Sequence, residues 1–191
     1  MMDTETKIKT AIKDLILKEG KFEVTVQEIA EKSEISRSVV HYYFRSKDKL
    51  LSFITEHIFN DLVFPAQHLL FTEDSLKNKV ENYLESCEKS ALLYPYLNTY
   101  IMYLYTKNDF LKNQITKVRD SFNYLINQIK ECILRQETAY RNPAYFLLDL
   151  FSLSGNISNT SILIDNHIFS NDMIANVSED RKKRILKILF V

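Results

Sequence analysis

Glycine is scarce in this chain of 191 residues, which contains only Gly20 and Gly155. Two isolated glycines cannot build a glycine-rich loop that cradles a phosphate group, and neither G-x-S-x-G nor H-E-x-x-H occurs. The sequence therefore disfavours nucleotide-dependent enzymes, serine hydrolases with a nucleophile elbow and zinc proteases. We expect no enzymatic activity and no cofactor.

Cysteines and long apolar runs are scarce as well. Cys87 and Cys132 cannot form a disulfide framework, and each is best interpreted as a small buried apolar residue. His57, His68 and His167 share no metal-ligand spacing with each other or with the cysteines, so we expect no metal site. No apolar run approaches the ~18 residues of a membrane span, and the N-terminus lacks an apolar signal region. We expect a cytoplasmic protein.

Charge is balanced overall but uneven along the chain. The net charge is zero, which argues against a protein that coats DNA through bulk positive charge. The 46% hydrophobic and 26% charged composition is typical of a soluble globular protein. Residues 35–50, however, contain four basic side chains and a single acid, Asp48. This segment is the candidate for a DNA-binding surface.

The stretch TVQEIAEKSEISRSVVHYYFRSKDKL, which begins at Thr25, predicts two short helices joined by a tight turn. Thr25 and Glu28 have the spacing of a capping box, which predicts a helix from residue 26 to about residue 32. Ser36 can cap a second helix over residues 37–43. This arrangement is typical of a helix-turn-helix.

The second of these helices has a polar side suited to DNA. At 100° per residue, Arg37, Ser38 and His41 share one arc, opposite Val39, Val40 and Tyr43. Each polar member can hydrogen-bond to a base edge or a phosphate, and the Arg37 guanidinium matches the major-groove acceptors of guanine. We expect this helix to be a recognition helix.

A third helix start at Ser46 adds a candidate phosphate site. Lys47 and Lys49 lie beside it, so exposed amides and positive side chains can meet a phosphate together. Such contacts would position the protein on DNA without reading its sequence.

These residues together resemble the DNA-binding domain of the TetR family of bacterial transcriptional repressors. The resemblance rests on Gly20, Thr25-Val26, Ile29-Ala30, Ser36, Tyr42-Tyr43-Phe44, Ser46-Lys47 and Leu50. It implies base contacts by Arg37, Ser38 and His41, phosphate contacts by Thr25, Tyr43 and Lys47, and a place for Tyr42 on the same surface.

Three positions depart from the family pattern. Glu34 stands where the family usually has glycine, and a left-handed conformation there would cost about 1 kcal/mol. Val39 replaces a common threonine and cannot donate to a phosphate. His41 replaces a common tyrosine, so the family's base preference at this position does not transfer.

The rest of the chain also has helical periodicity, which predicts an all-α fold with no strand. A first helix is predicted over residues 6–19, and a connecting helix from residue 47 that stops before Pro65. Residues 65–74 are then expected to be a loop. Further helices are predicted at residues 75–93, 95–107, 109–137, 143–168 and 178–190. We expect a helix-turn-helix domain in residues 1–46 and a helical ligand-binding and dimerisation domain in residues 47–191.

A stretch of small polar residues, SLSGNISNTS at residues 152–161, leaves two alternatives open. Its residues are mediocre helix formers, which favours a local break, but their small size also favours a close helix contact. The resemblance implies that the last two long helices pair with their copies in a homodimer, whose symmetry suits a palindromic operator.

Aromatic residues cluster in the C-terminal region. An effector cavity could be lined by Tyr83, Tyr96, Tyr100, Tyr103 and Phe122, and the alternative is that these residues form core and dimer packing. The resemblance implies a small-molecule effector in this region. The sequence thus predicts a DNA-binding regulator, expected to be a repressor that a ligand releases from double-stranded DNA. The alternative is a ligand-independent helix-turn-helix or architectural DNA-binding protein.

Overall fold

The computed structural model describes residues 3–44, 46–107, 119–165 and 177–191. All regular secondary structure in these ranges is helical, which confirms the all-α prediction. No helix within them combines the length and apolar character needed to cross a membrane. The same ranges contain no group of three His, Cys, Asp or Glu side chains placed to share a metal ion. Helices are numbered below in chain order.

The first helix, α1 (Thr4–Lys13), continues into a π-helical turn over Asp14–Lys18. It begins earlier than predicted because the Thr6 amide donates to Asp3 Oδ1 at 2.8 Å, which makes Asp3 the N-cap. The chain leaves the helix at Gly20, the predicted stop, where φ is 72°. Glycine adopts this left-handed conformation without strain.

The helix-turn-helix consists of α2 (Val26–Ser33) and α3 (Arg37–Tyr43), close to the predicted bounds. Glu34 ends α2 in the left-handed conformation, with φ of 57°. The Ile35 amide donates back to the Ala30 carbonyl at 3.2 Å. Such hydrogen bonds satisfy carbonyls at the end of a helix, and they offset the cost of a non-glycine residue at this position.

The connecting helix α4 (Lys47–Ile58) does not end the helical path. It is followed by a π-helical turn (Phe59–Val63), by α5 (Phe64–His68) and by a 3-10 turn (Leu69–Phe71). The prediction of a helix end before Pro65 and a loop after it is therefore wrong. Pro65 occupies the first turn of α5, where a residue without an N–H and with a fixed φ is tolerated.

Five helices follow in the C-terminal region. They are α6 (Leu76–Leu93), α7 (Leu97–Lys107), α8 (Arg119–Leu134), α9 (Pro143–Asp165) and α10 (Val177–Leu189). Side-chain oxygens of Ser75 and Asn142 accept first-turn amides of α6 and α9 and so cap these helices. Residues 109–118, the first part of the helix predicted over residues 109–137, lie outside the described residues.

The small polar stretch does not interrupt α9, whose backbone is helical through Asp165. The Gly155 carbonyl accepts a hydrogen bond from Asn98 Nδ2 of α7 at 2.8 Å. Of the two alternatives left open by the sequence, the structure therefore shows the helix contact.

The described residues form two hydrophobic clusters. The N-terminal cluster combines apolar side chains of α1 to α4 with Leu97, Tyr100 and Leu104 of α7. The C-terminal cluster combines side chains of α5, α6, α8, α9 and α10, among them Leu84 and Phe146. The N-terminal helices thus share their core with a helix that lies far along the chain.

Candidate functional site

The exposed side of α3 is formed by the residues expected to contact bases. Arg37, Ser38 and His41 are all exposed. Val40, on the opposite side, is fully buried in the N-terminal cluster. One buried side chain therefore anchors this seven-residue helix, and its polar residues face outward together.

The aromatic end of α3 is also largely exposed. Tyr42 is 73% exposed and Tyr43 is 42% exposed, whereas Phe44 is buried. Of the three residues predicted to lie opposite the polar arc, only Val40 is buried, and Val39 is 38% exposed. Tyr43 packs against both neighbouring rings, with centroids 6.0 Å from Tyr42 and 6.4 Å from Phe44. These contacts hold its ring at the edge of the exposed surface.

The turn between α2 and α3 is tied down by hydrogen bonds. Ser33 Oγ donates to the Ile29 carbonyl at 2.6 Å inside the core. Ser36 occupies the N-cap position of α3, but its hydroxyl lies 3.2 Å from the Ser38 hydroxyl and caps no amide of α3. The predicted cap is thus confirmed in position and wrong in its hydrogen bond.

Thr25 forms the predicted capping box, which uses both of its donors. Its hydroxyl and its amide donate to Glu28 Oε2 at 2.8 and 2.9 Å, and the Glu28 amide donates to Thr25 Oγ at 3.2 Å. The hydrogen bonds from Thr25 lower the pKa of the Glu28 carboxyl. A phosphate contact by the Thr25 hydroxyl would therefore require it to exchange this carboxylate for the phosphate.

The start of α4 lies next along the chain. Ser46 Oγ accepts the Lys49 amide at 3.2 Å, which confirms Ser46 as the N-cap. Lys47 is the first residue of α4, so its amide belongs to the first turn, whose N–H groups have no intrahelical partner. The Lys47 side chain and residue Arg45 lie outside the described part of the structure.

Comparison with known families identifies this arrangement. Residues 8–53 match the family model for bacterial regulatory proteins of the tetR family. The N-terminal part of the chain belongs to the TetR family. The match begins within α1 and ends within α4, so the helix-turn-helix described above is the TetR-family DNA-binding domain.

Solved TetR-family structures share the fold over the whole chain. A protein from Rhodococcus RHA1 superposes with a TM-score of 0.69 at 13% identity, covering 100% of this chain and 98% of its own. A protein from Haemophilus influenzae has a TM-score of 0.62 at 14% identity, covering 99% and 97%. A TetR/AcrR-family protein from Thermobifida fusca has a TM-score of 0.62 at 16% identity, covering 97% of each chain. A comparison with curated proteins finds no match.

A cavity of about 140 Å³ lies where the two hydrophobic clusters meet. From the N-terminal cluster it is lined by Phe59, Leu62, Val63, Leu97 and Ile101. From the C-terminal cluster it is lined by Ala66, Tyr83 and Cys87. The other lining residues are Gln67, Ser90, Ala91, Asn98 and Tyr105. The cavity therefore touches the turn that follows α4 as well as α6 and α7.

Of the five aromatic residues predicted to bind a ligand, Tyr83 lines this cavity. Its hydroxyl lies 3.5 Å from Ser154 Oγ, and burial raises its pKa well above the usual range. Phe122 packs instead on Phe71 and Phe151, with ring centroids 5.4 and 6.1 Å away.

The other three predicted residues face the N-terminal helices. The Tyr96 ring lies against Gly20, and its amide donates to the Leu17 carbonyl at 3.0 Å. Tyr100 is fully buried in the N-terminal cluster, and the Tyr103 hydroxyl donates to a Glu23 carboxylate oxygen at 3.1 Å. The structure does not bring these tyrosines to the cavity, because they face the π-helical turn after α1 and the segment that leads to α2.

Sequence reasoning missed Gln67 and Asn98 as lining residues. Gln67 lies in the segment predicted as a loop, and Asn98 lies one turn from tyrosines that face the other way. A single polar residue on a helix carries no signal of what it contacts.

Both cysteines behave as apolar residues. Burial raises the pKa of Cys87 to about 11 and that of Cys132 to about 11. The thiolate is the reactive form of cysteine, so neither side chain is activated at neutral pH.

Proposed function

We propose that this regulator is a transcriptional repressor whose dimer binds a palindromic operator and is released by a small-molecule ligand. The observation that carries the proposal is the outward polar side of α3, fixed by one buried side chain within a TetR-family DNA-binding domain. Repression requires tight, sequence-specific binding, and a rigid recognition helix supports it.

The proposed contacts divide into two kinds. Arg37, Ser38 and His41 would contact base edges in the major groove, and Tyr42 would lie on the same surface. The phosphate contacts would come from Thr25, Tyr43 and Lys47. Base contacts select the sequence, whereas phosphate contacts set the position of the protein on the duplex.

We further propose that residues 1–46 form the DNA-binding domain and residues 47–191 the ligand-binding and dimerisation domain, in a cytoplasmic protein. The packing of α7 in the N-terminal cluster supports close communication between the two.

A homodimer through the last two long helices is supported by their exposed apolar side chains. Tyr145 and Leu148 of α9 are each 62% exposed, and Ile188 of α10 is 49% exposed. Large apolar side chains on the surface of one chain favour a partner surface. A two-fold dimer would present two recognition helices to half-sites about one helical turn apart.

The position of the cavity supports a route from ligand to DNA. Phe59, Leu62 and Val63 directly follow α4, and a ligand wedged between them and α6 would tilt α4. The tilt would move the DNA-contacting start of α4 and the helices packed on it. Coupling of this kind typically changes DNA affinity by about 1–3 kcal/mol.

The first experiment is selection of bound duplexes from a random DNA pool, followed by sequencing. Recovery of an inverted repeat is the expected result, because a two-fold dimer reads the same half-site twice. If no motif emerged at a salt concentration where binding persists, the ligand-independent architectural alternative would replace the proposal.

The contact assignment is tested by the double substitution Arg37→Ala with Lys47→Ala. Loss of one bidentate base contact and one phosphate contact should weaken operator binding by about 100-fold, measured by fluorescence anisotropy. The matched control is Lys77→Ala with Arg141→Ala, which removes the same charge from exposed positions outside the N-terminal cluster. Equal affinity of the two double variants would contradict the assignment. Wild-type affinity should also fall about 10³-fold between 50 and 200 mM salt.

A further inference from the structure

The cavity between the two clusters has the size of a very small ligand. Its volume is about 140 Å³. A dry apolar protein cavity of about 150 Å³ accommodates benzene. Typical sites for drug-sized ligands are larger, about 300–1,000 Å³. A single six-membered ring with one substituent therefore matches the inner space that Phe59, Tyr83 and Ile101 help to line, and the cavity is open to solvent on its outer side.

The described lining contains no charged side chain. It consists of aliphatic and aromatic residues with a few neutral polar groups, among them the carboxamides of Gln67 and Asn98 and the hydroxyls of Tyr83 and Ser90. Burial raises the pKa of Cys87 to about 11, so its thiol is neutral at pH 7. An ionised ligand would lose its hydration without gaining a counter-charge, which is strongly unfavourable.

One hydroxyl in the wall is already oriented by its neighbours. Ser154 Oγ donates to the Phe151 carbonyl at 3.2 Å and lies 3.5 Å from the Tyr83 hydroxyl. A serine that donates to a carbonyl is left to accept from Tyr83, and the Tyr83 hydroxyl also has a side-chain hydrogen bond with Cys87, which lines the same cavity. A phenolic oxygen has two lone pairs, so it keeps capacity to accept a further hydrogen bond. A hydroxyl group on the ligand could donate a hydrogen bond to this oxygen.

From this size, lining and polarity, we infer that the effector is a compact, uncharged ring compound with a hydroxyl group, for which phenol is the simplest probe. The inference rests on the proposed ligand-released repressor and specifies the chemical class of its effector. The ring fills the apolar space and the hydroxyl pairs with Tyr83. Carboxylates and alkylammonium ions of the same size are disfavoured by the absence of a counter-charge among the described lining residues.

The test is isothermal titration calorimetry of the full chain with phenol, benzoate and toluene at pH 7. Phenol is uncharged at this pH, as a tyrosine side chain is, and benzoate is its charged counterpart. Phenol should bind at least about tenfold more tightly than benzoate. Benzoate binding as tight as that of phenol would overturn the inference, and so would no detectable phenol binding.

Two variants locate the binding. Ala91→Leu fills the cavity from a buried position and should weaken phenol at least about tenfold. Ala139→Leu, at an exposed position, is the control and should leave binding unchanged. Tyr83→Phe removes only the hydroxyl, and should weaken phenol about fivefold while toluene binding stays the same. The Tyr83→Phe variant also tests the binding site if Ala91→Leu does not fold. Phenol binding that neither variant changes would overturn the assignment.

A separate assay distinguishes this inference from the proposed function. Phenol is added to the complex of the protein with a selected duplex, and anisotropy reports DNA release. Binding of phenol without any change in DNA affinity would support the ligand class assigned to the cavity and contradict the release step of the proposed function. Sequence-specific DNA binding without phenol binding would overturn the inference and leave the repressor proposal in place.

Discussion

Two short tyrosine-bearing helices of this protein, α3 and α7, give their aromatic residues opposite environments. Tyr42 of α3 is 73% exposed, whereas Tyr100 of α7 is fully buried. The α3 helix meets the rest of the molecule along one side, through Val40. The α7 helix is packed on two sides, with Tyr100 in the N-terminal cluster and Ile101 at the cavity. The role of a tyrosine here depends on how many neighbours its helix has.

The largest effect should come from truncating the two tyrosines in parallel. Tyr100→Ala should lower the free energy of unfolding by about 3–5 kcal/mol, because it leaves a large void in a packed core. Tyr42→Ala should change it by less than about 0.5 kcal/mol, because the ring has few neighbours to lose. Urea denaturation at one fixed protein concentration measures both.

The direct effect of the two substitutions on DNA affinity should have the reverse order, with Tyr42→Ala larger than Tyr100→Ala. Tyr42→Ala should weaken operator binding at temperatures where it is fully folded, since its ring lies on the proposed DNA surface. Similar destabilisation by the two substitutions would break the contrast between α3 and α7.

The contact between α7 and the end of α1 can be tested at Gly20. A Cβ on Gly20 would lie 2.8 Å from Tyr96 Cε1, and its φ of +72° disfavours any side chain. Gly20→Ala should therefore cost about 2 kcal/mol of stability, from backbone strain and displacement of the Tyr96 ring. The shift in thermal unfolding midpoint is the measurement.

Gly155→Ala is the matched control for this substitution. Gly155 lies within α9, and its added Cβ would approach Asn98 Nδ2 no closer than 3.8 Å. Alanine in a helix without a clash should stabilise by about 0.5–1 kcal/mol. If both glycine substitutions shifted the midpoint in the same direction, the packing of Tyr96 on Gly20 would not constrain the fold.

The smallest effect should be a pH dependence at the junction of α1 and α4. Burial lowers the pKa of His57 below its ordinary value of 6.5, Lys13 and Lys9 lower it further, and Asp61 and Glu5 oppose the shift. The folded protein therefore favours the neutral form of the His57 imidazole. As pH falls below about 6.5 the unfolded chain takes up the proton first, so the contribution to stability is present above that pH and lost below it.

Replacing the histidine should reveal this contribution. In His57→Gln, the drop in thermal midpoint between pH 7.5 and pH 5.5 should be smaller than in the unchanged protein. His68→Gln, at an exposed position on α5, controls for the loss of a histidine as such. If the thermal midpoint of His57→Gln fell between pH 7.5 and pH 5.5 as much as that of the unchanged protein, His57 would not be the source of the pH dependence.

The helix-turn-helix was predictable because its determinants are local. The capping box of Thr25 and Glu28, the Ser46 cap and the stop at Gly20 each involve residues close in sequence, and each is present. Even the strained position could be located, since Glu34 adopts the left-handed conformation expected at that turn. Such signals depend on hydrogen bonds that close within one turn of helix.

The helical path through Pro65 and the placement of the tyrosines were not predictable. A proline usually stops a helix, but a π-helical turn over Phe59–Val63 brings Pro65 into the first turn of a new helical segment. Periodicity showed that α7 is a helix, yet it did not show which of its sides meets which cluster. The outcome depends on Gly20 and Leu17, which are far away in sequence.

Local signals in the sequence were sufficient for the all-α fold class, for the helix-turn-helix with its outward polar side, and for the resemblance of the N-terminal domain to the TetR family. These features follow from spacings of three or four residues and from charge confined to one segment. The tertiary structure alone decided where the two clusters meet, which side chains enclose the cavity, and that α7 joins the N-terminal core. Long-range packing sets these features, because many helix pairs satisfy the same apolar pattern and only the folded chain selects among them.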